Sequence, residues 1–194
     1  MRVGLTGGIG AGKSAVASIW GDRGASIIDA DHLAREAVAP GSRALREVGI
    51  RWPQVIAPDG TLDRLALARI VFADDDERAT LNGIIHPRVR ALARVREAES
   101  PPGALIVHVV PLLFESEYWR TMDANVVVIA PLEARIARVM ERDGLDRESV
   151  LERMRAQIDP EEARRRATYA IDNDADFETL RARANAVYDK LVSS

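Results

Sequence analysis

A glycine-rich run near the amino terminus has the residue types and spacing that hold phosphate groups. Residues 7–14 read Gly-Gly-Ile-Gly-Ala-Gly-Lys-Ser, so Gly7 is followed, after four residues, by Gly12-Lys13-Ser14. Glycines let the backbone curl so that its N–H groups point at phosphate oxygens, and the positive end of a following helix adds to the attraction. In such a P-loop the lysine reaches the β- and γ-phosphates, and the serine hydroxyl binds Mg²⁺. The other interpretation is a glycine-rich turn that binds nothing.

The P-loop predicts a set of contacts with a nucleotide, ATP, together with Mg²⁺ on Ser14. The predicted nucleotide-binding residues of the loop are Gly8, Gly10, Ala11, Gly12, Lys13, Ser14 and Ala15. Of the 27 basic residues, only Lys13 and Lys190 are lysine. A lysine inside the loop of so arginine-rich a chain fits a position that needs a compact ammonium on a flexible stem.

A second motif places two carboxylates close together, at Asp29 and Asp31. They follow a predicted strand, and the carboxyl ends of strands are where open α/β sheets bind their ligands. Residues separated by one position on a strand point to the same face. One of the two carboxylates could therefore accept the proton of a hydroxyl that receives a phosphoryl group. We favour Asp31 as this base, since it lies at the start of the next helix. The alternative is that Asp29 or Asp31 only caps that helix.

An arginine-rich segment at residues 138–155 distinguishes among the P-loop protein classes. It is typical of a kinase lid, which excludes water and brings guanidinium groups to the transferred phosphoryl group. The candidates are Arg138, Arg142 and Arg147, although for any single one of them a solvated helical face is the commoner interpretation. A guanine-reading Asn-Lys-x-Asp and an Asp-x-x-Gly are both absent from the sequence, which disfavours a GTPase switch. A kinase is therefore predicted.

Short strand-like runs alternate with longer helical ones, which predicts an α/β fold on a mainly parallel sheet. Five strands are predicted, at residues 2–6, 26–29, 105–110, 125–129 and 169–171. Helices are predicted at residues 12–23, 31–37, 63–72, 75–99, 132–142, 146–157, 160–168 and 176–191. Asp63 is the expected N-cap of the third helix, and Pro87 is expected to break or kink the fourth near His86.

The elements suggest a three-layer P-loop fold with two insertions. The stretch from the second to the third strand is too long for one crossover helix, so residues 32–100 are expected to form a helical subdomain. The charged residues 140–166 are expected to form the lid. The core would then comprise residues 1–31, 101–139 and 167–194 as parts of a single domain.

The composition is that of a globular protein, with 194 residues, 47% hydrophobic and 29% charged. The net charge of −3 gives no sign of a nucleic-acid partner. The absence of cysteine excludes disulfides and thiolate chemistry and fits a cytoplasmic location. No targeting segment or membrane span is expected, and three histidines without ligand spacing make a zinc site unexpected.

Several blocks together resemble the dephospho-coenzyme A kinase family along nearly the whole chain. The P-loop is generic, whereas the Asp-Ala-Asp, His-Pro and Pro-Leu-Leu-Phe-Glu blocks in this order are specific to the family. The matching blocks are residues 4–14, 28–31, Ala34-Arg35, 60–64, Val71-Phe72, Leu81-Asn82, His86-Pro87, 111–115, Arg138, Arg142, Gln157 and 171–173.

The resemblance implies ATP-dependent phosphorylation of the ribose 3′-hydroxyl of dephospho-CoA, with residues 32–100 as the CoA-binding subdomain. It implies that Asp31 is the base or orients the hydroxyl, and that Lys13 and Arg138 act in catalysis. It also implies that Arg64 and His86 line the acceptor side, and that Arg142 and Asn173 bind ATP, Asn173 near the adenine. A monomer or weak homo-oligomer is expected. The other hypotheses are a nucleoside or nucleotide kinase and a non-enzymatic nucleotide-binding regulator.

Two positions depart from the family pattern. Many members carry an acidic residue two positions before the proline of the Pro-Leu-Leu block, where this chain has Val109. A carboxylate that would help to hold Mg²⁺ is therefore missing, and Asp31 or Glu115, acting through water, could take its part. The family's Ala-Asp before the last strand is Ala167-Thr168 here.

Overall fold

The structure is a computed structural model that describes residues 1–155 and 157–193. Ala156, which falls within the predicted helix 146–157 and the predicted lid, and Ser194, at the end of the predicted core, lie outside the described residues. Contacts divide the chain into two compact units. Unit 1 comprises Met1–Ile28 and the chain from Ser100 onward, and unit 2 comprises Asp29–Glu99.

A five-stranded sheet forms the centre of unit 1, which confirms the predicted α/β class. The strands are β1 (Arg2–Gly7), β2 (Ser26–Asp29), β3 (Ile106–Val109), β4 (Ala124–Ile129) and β5 (Tyr169–Asp172). Their order is β2-β3-β1-β4-β5, and β1 pairs in parallel with β3 and β4, as β4 does with β5. The central position of β1 directs the P-loop that follows it to the carboxyl edge of the sheet.

Helices of unit 1 cover the sheet and bury apolar residues against it. They are α1 (Lys13–Asp22), α6 (Leu132–Asp143), α7 (Arg147–Arg155), α8 (Pro160–Arg166) and α9 (Phe177–Val192). The largest apolar cluster lies between the sheet, α1 and α9 and includes Trp20, whose indole N–H donates to the carbonyl of Ala184 at 2.9 Å. A second cluster around Phe114, Val127 and Ala163 packs α8 on β4.

Unit 2 is helical and has an apolar centre of its own. It contains α2 (Ala30–Ala37), α3 (Arg43–Arg51), α4 (Arg64–Ala73) and α5 (Asp75–Glu99). Val48, Trp52, Val55, Leu67 and Val71 form its main apolar cluster. Asp63 caps α4 as predicted, since its carboxylate accepts from the backbone N–H of Ala66 at 2.9 Å. No helix of the described residues is long and apolar enough to cross a membrane.

Two predictions for the helical region were wrong or incomplete. α5 continues through Pro87, so the helix does not break there, and the alternative of a kink stays a prediction. The residue four positions earlier, whose carbonyl faces the proline ring, is Gly83, which is exposed and has open space around it. Water can therefore reach that carbonyl, which has lost its helical donor. α3 was not predicted, although Ser42 caps it by accepting from the Leu45 N–H at 3.1 Å.

Candidate active site

The P-loop follows β1 and leads directly into α1. Gly10 and Gly12 have positive φ angles of 76° and 102°, which L-amino acids with side chains rarely adopt. A Cβ atom on Gly10 would lie 2.6 Å from the carbonyl oxygen of Arg135, and one on Gly12 would collide with the side-chain amide of Asn173. Both glycines are therefore required by the backbone conformation and by the close approach of neighbours.

Lys13 lies within the loop that it is predicted to serve. It is half-buried, and its Nζ atom donates to the carbonyl oxygens of Gly7 at 2.6 Å and Gly8 at 3.4 Å. A phosphate oxygen is a charged acceptor and forms a stronger hydrogen bond to an ammonium than a neutral carbonyl does. The lysine is thus placed where a bound phosphate can compete for it.

Three side chains from the second half of the chain donate to three successive carbonyl groups of the P-loop, called here the outer carbonyls. The pairs are Arg135 Nε to Ile9 at 2.9 Å, Arg138 Nη1 to Gly10 at 3.2 Å, and Asn173 Nδ2 to Ala11 at 2.8 Å. Of the predicted site residues, the structure therefore brings Arg138 and Asn173 to the loop. They contact its backbone, and the predicted contact of Asn173 with adenine stays a prediction.

The other two predicted lid arginines are engaged with carboxylates. Arg142 forms two hydrogen bonds with Asp143, of 2.7 and 2.9 Å, and these lower the pKa of Asp143. Arg147 forms two hydrogen bonds of 2.7 Å with Glu133, which lower the pKa of that carboxyl in the same way. Arg138 is the only one of the three predicted lid arginines that contacts the P-loop in the part of the chain that the structure describes.

The predicted Mg²⁺ position has one protein oxygen in place, the exposed hydroxyl of Ser14 in the first turn of α1. Val109 is buried in the apolar cluster beside β1, opposite Leu5, so that position offers no oxygen. Glu115 is exposed, and its Oε1 accepts from the backbone N–H of Ile158 at 2.8 Å. Residues 1–155 and 157–193 contain no group of three or more acidic, histidine or cysteine residues that could hold a metal ion.

In unit 2, the two carboxylates of the Asp-Ala-Asp motif have different surroundings. Asp29 is the N-cap of α2, and its Oδ1 accepts from the backbone N–H groups of Asp31 at 2.8 Å and His32 at 3.0 Å. The capping alternative therefore applies to Asp29. Asp31 is an exposed residue in the first turn of α2. The prediction that both carboxylates point to the same face of a strand was wrong, because a helix begins at Ala30.

The remaining predicted acceptor residues also lie on helices of unit 2. Arg64 is the first residue of α4 and is exposed. His86 lies on an exposed face of α5, one turn from Arg90. Partial desolvation of its imidazole, together with the positive charge of Arg90, lowers the pKa of His86 below its usual value of about 6.5. Its neutral form is thus favoured at physiological pH.

Two side chains that contact the P-loop were not predicted to do so. Arg135 is buried on α6, and Gln157 Oε1 accepts both from the backbone N–H of Ile9 at 2.8 Å and from Arg135 Nη2 at 3.3 Å. Arg135 lies next to Ile136 and four residues before Val139, both fully buried, so it occupies the apolar face of an amphipathic helix. An arginine on that face was the sequence signal that could have identified it.

Comparison with known proteins gives the same assignment along the whole chain. The family model described as dephospho-CoA kinase matches residues 1–179. A protein of Moorella thermoacetica named dephospho-CoA kinase is 46% identical over 193 residues, which cover 97% of this chain and 91% of the relative.

Solved structures extend the likeness to the fold. A crystal structure from Thermus thermophilus superposes with a TM-score of 0.89 at 38% identity and covers 98% of this chain and 97% of its own. A dephospho-CoA kinase from Campylobacter jejuni has a TM-score of 0.71 at 25% identity, with 99% and 97% covered. The order of the sheet, the P-loop between β1 and α1, and the family match agree, so the chain belongs to the dephospho-CoA kinase family.

Proposed function

We propose that the protein transfers the γ-phosphoryl group of ATP to the ribose 3′-hydroxyl of dephospho-CoA, giving coenzyme A and ADP. The observation that supports this most strongly is a P-loop between β1 and α1, with Lys13 inside it, in a chain of this family. We also propose a cytoplasmic location for this reaction, which the cysteine-free sequence fits.

The P-loop receives the phosphates of ATP. Its inward N–H groups and the positive end of α1 attract the anionic oxygens, and Lys13 exchanges the carbonyls of Gly7 and Gly8 for phosphate oxygens. The ammonium then neutralises part of the charge that spreads over the transferred phosphoryl group. Arg138, which already contacts the loop at Gly10, is the lid arginine best placed to add a second positive charge.

The residues present fit a Mg²⁺ ion that takes most of its ligands from the nucleotide and from water. Ser14 supplies a hydroxyl, and the described residues offer no dedicated cluster of acidic ligands. Mg²⁺ commonly binds in this way in phosphoryl-transfer enzymes, with one or two protein ligands and the phosphates themselves. When bound, the ion would supply positive charge that offsets the negative charge of the phosphates.

The acceptor side of the reaction belongs to Asp31, Arg64 and His86. As the 3′-oxygen of dephospho-CoA bonds to the γ-phosphorus, the bond from that phosphorus to the β–γ bridging oxygen breaks and ADP leaves. Asp31, an exposed residue in the first turn of α2, accepts the proton of the hydroxyl. Arg64 and His86 bind the acceptor, His86 as a neutral hydrogen-bonding group because its pKa is lowered.

Purified protein with Mg²⁺ and ATP tests the proposal. We expect ADP release that depends on dephospho-CoA, and a product with one additional phosphate on the ribose, identified by mass spectrometry. The matched control is Lys13→Ala, which keeps the fold and removes the charge. Phosphorylation of nucleosides or nucleotides in place of dephospho-CoA would support the alternative kinase. ATP binding with no turnover on any acceptor would support a regulator.

A further inference from the structure

Arg135 is a buried charged residue in direct contact with the P-loop. Only 7% of its surface is exposed, and Ile136 and Val139, buried beside it, anchor α6 in the same region. Its Nε atom donates to the carbonyl of Ile9, and its Nη2 atom donates to Gln157 Oε1. A long cationic side chain is rarely buried in this way unless its charge is paired with an opposite charge.

The contacts of Arg135 and Gln157 fix both hydrogen-bonding groups of one P-loop residue. The carbonyl of Ile9 is bonded to Arg135, and its N–H is bonded to Gln157. In a trans peptide the carbonyl and the next N–H point in opposite directions. Holding the Ile9 carbonyl outward therefore turns the N–H of Gly10 toward the inner side of the loop. Gln157, by holding the Ile9 N–H outward, turns the preceding Gly8 carbonyl inward, and that carbonyl accepts from the Ala11 N–H at 3.0 Å.

The charge of Arg135 has no anionic partner in the part of the chain that the structure describes. Its hydrogen-bond acceptors are a carbonyl and a side-chain amide, both neutral, whereas Arg142 and Arg147 on the neighbouring surface are each paired with a carboxylate. Burial alone lowers the pKa of its guanidinium, without an opposing acidic neighbour. A buried cation without a counter-charge is costly, and an anion that binds beside it offsets that cost.

We propose that Arg135 is a positioning residue for ATP. Its side chain holds the P-loop backbone in the conformation that receives phosphate, and its buried charge is balanced only when the triphosphate binds. This inference rests on the proposed function only so far as the P-loop binds ATP. Gln157 contributes to the same positioning, because its Oε1 atom accepts from both Arg135 and the N–H of Ile9.

Two substitutions separate the positioning role from a simple contribution to stability. Arg135→Gln removes the buried charge. Gln157→Glu keeps both hydrogen bonds that the oxygen accepts and adds a carboxylate beside Arg135. If the charge of Arg135 is balanced only by bound nucleotide, both substitutions should keep or raise the melting temperature measured without ATP. Both should also diminish the rise in melting temperature that ATP causes. We expect KM for ATP to increase by roughly tenfold or more, as for the loss of a charge-assisted contact, and KM for dephospho-CoA to change by less than about twofold.

The matched control is Arg181→Gln, which removes an exposed arginine on α9 that pairs with Glu178 away from the loop. It should leave the ATP-induced shift and both KM values as in the unmodified protein. Arg135→Lys keeps a charge but loses the two-nitrogen geometry, so it should recover only part of the ATP response.

The proposal is overturned if Arg135→Gln lowers the melting temperature without ATP and leaves the ATP-induced shift intact, because Arg135 would then be only structural. It is also overturned if Gln157→Glu binds ATP as well as the unmodified protein does, or if the unmodified protein shows no ATP-induced shift. Since thermal shifts are recorded without acceptor, a failure to phosphorylate dephospho-CoA is a separate result, which bears on the proposed function alone.

Discussion

The backbone of the P-loop is held by side chains from distant parts of the chain, whereas the predicted acceptor residues of unit 2 are exposed. The donors to the outer carbonyls of Ile9, Gly10 and Ala11 lie 126, 128 and 162 positions away in sequence. In unit 2 the hydrogen bonds that the Asp29 carboxylate accepts span only two or three residues. The P-loop is thus held in place by the rest of unit 1, whereas the predicted acceptor residues are exposed side chains on three helices of unit 2.

The largest expected effect is on turnover, at Lys13 in the P-loop. Lys13→Ala should lower kcat by about 1,000-fold, because it removes the charge that stabilises the transferred phosphoryl group. Steady-state assays with saturating ATP and dephospho-CoA measure it, and the melting temperature should change little because the side chain is only half-buried. A loss of less than tenfold would contradict the role given to Lys13 and weaken the contrast between the two units.

The next largest effect on turnover is expected at Asp31, an exposed residue of unit 2. Asp31→Asn should lower kcat by about 100-fold, the range of general-base catalysis, with KM for ATP changed by less than about threefold. The matched control is Asp29→Asn, since asparagine caps a helix as well as aspartate does and should leave kcat close to that of the unmodified protein. An equal loss of ATP binding on Asp31→Asn would point instead to a metal-binding role.

A smaller effect is expected at the start of α4, where the local contacts of unit 2 can be tested. Asp63→Ala should reduce the free energy of unfolding by about 1 kcal/mol, because the N–H of Ala66 loses its cap. Asp63→Asn should retain most of that free energy. Urea unfolding followed by circular dichroism measures both, and identical midpoints for the alanine and asparagine variants would show that the cap contributes nothing.

The smallest effect is a pH dependence caused by His86. Because its folded pKa is lowered, the unfolded chain takes up the proton first as the pH falls. The contribution of His86 to stability is therefore unfavourable below its unfolded pKa of about 6.5 and absent well above it. His86→Gln should lose less stability than the unmodified protein when the urea midpoint is compared between about pH 7.5 and about pH 5.5. An identical pH dependence in the two proteins would show that the imidazole is fully solvated.

The sequence by itself determined the features whose residues lie next to one another. The P-loop is contiguous, and the strand before it and the helix after it follow from local hydrophobic patterns, so its position between β1 and α1 was predictable. The same holds for the five strands, including β5 directly after the unusual Ala167-Thr168, and for the cap at Asp63. Turn chemistry and hydrophobic periodicity act over a few residues and can be read without knowing the tertiary structure.

Only the tertiary structure decided which side chains meet across the chain. No local pattern shows that Arg135 and Gln157 reach Ile9, because that contact depends on how α6 packs beside the P-loop. The helix start at Ala30 decided that Asp29 caps α2 and leaves Asp31 exposed. Long-range packing selects among the local possibilities, since the burial of each apolar face fixes where the polar groups beside it must lie.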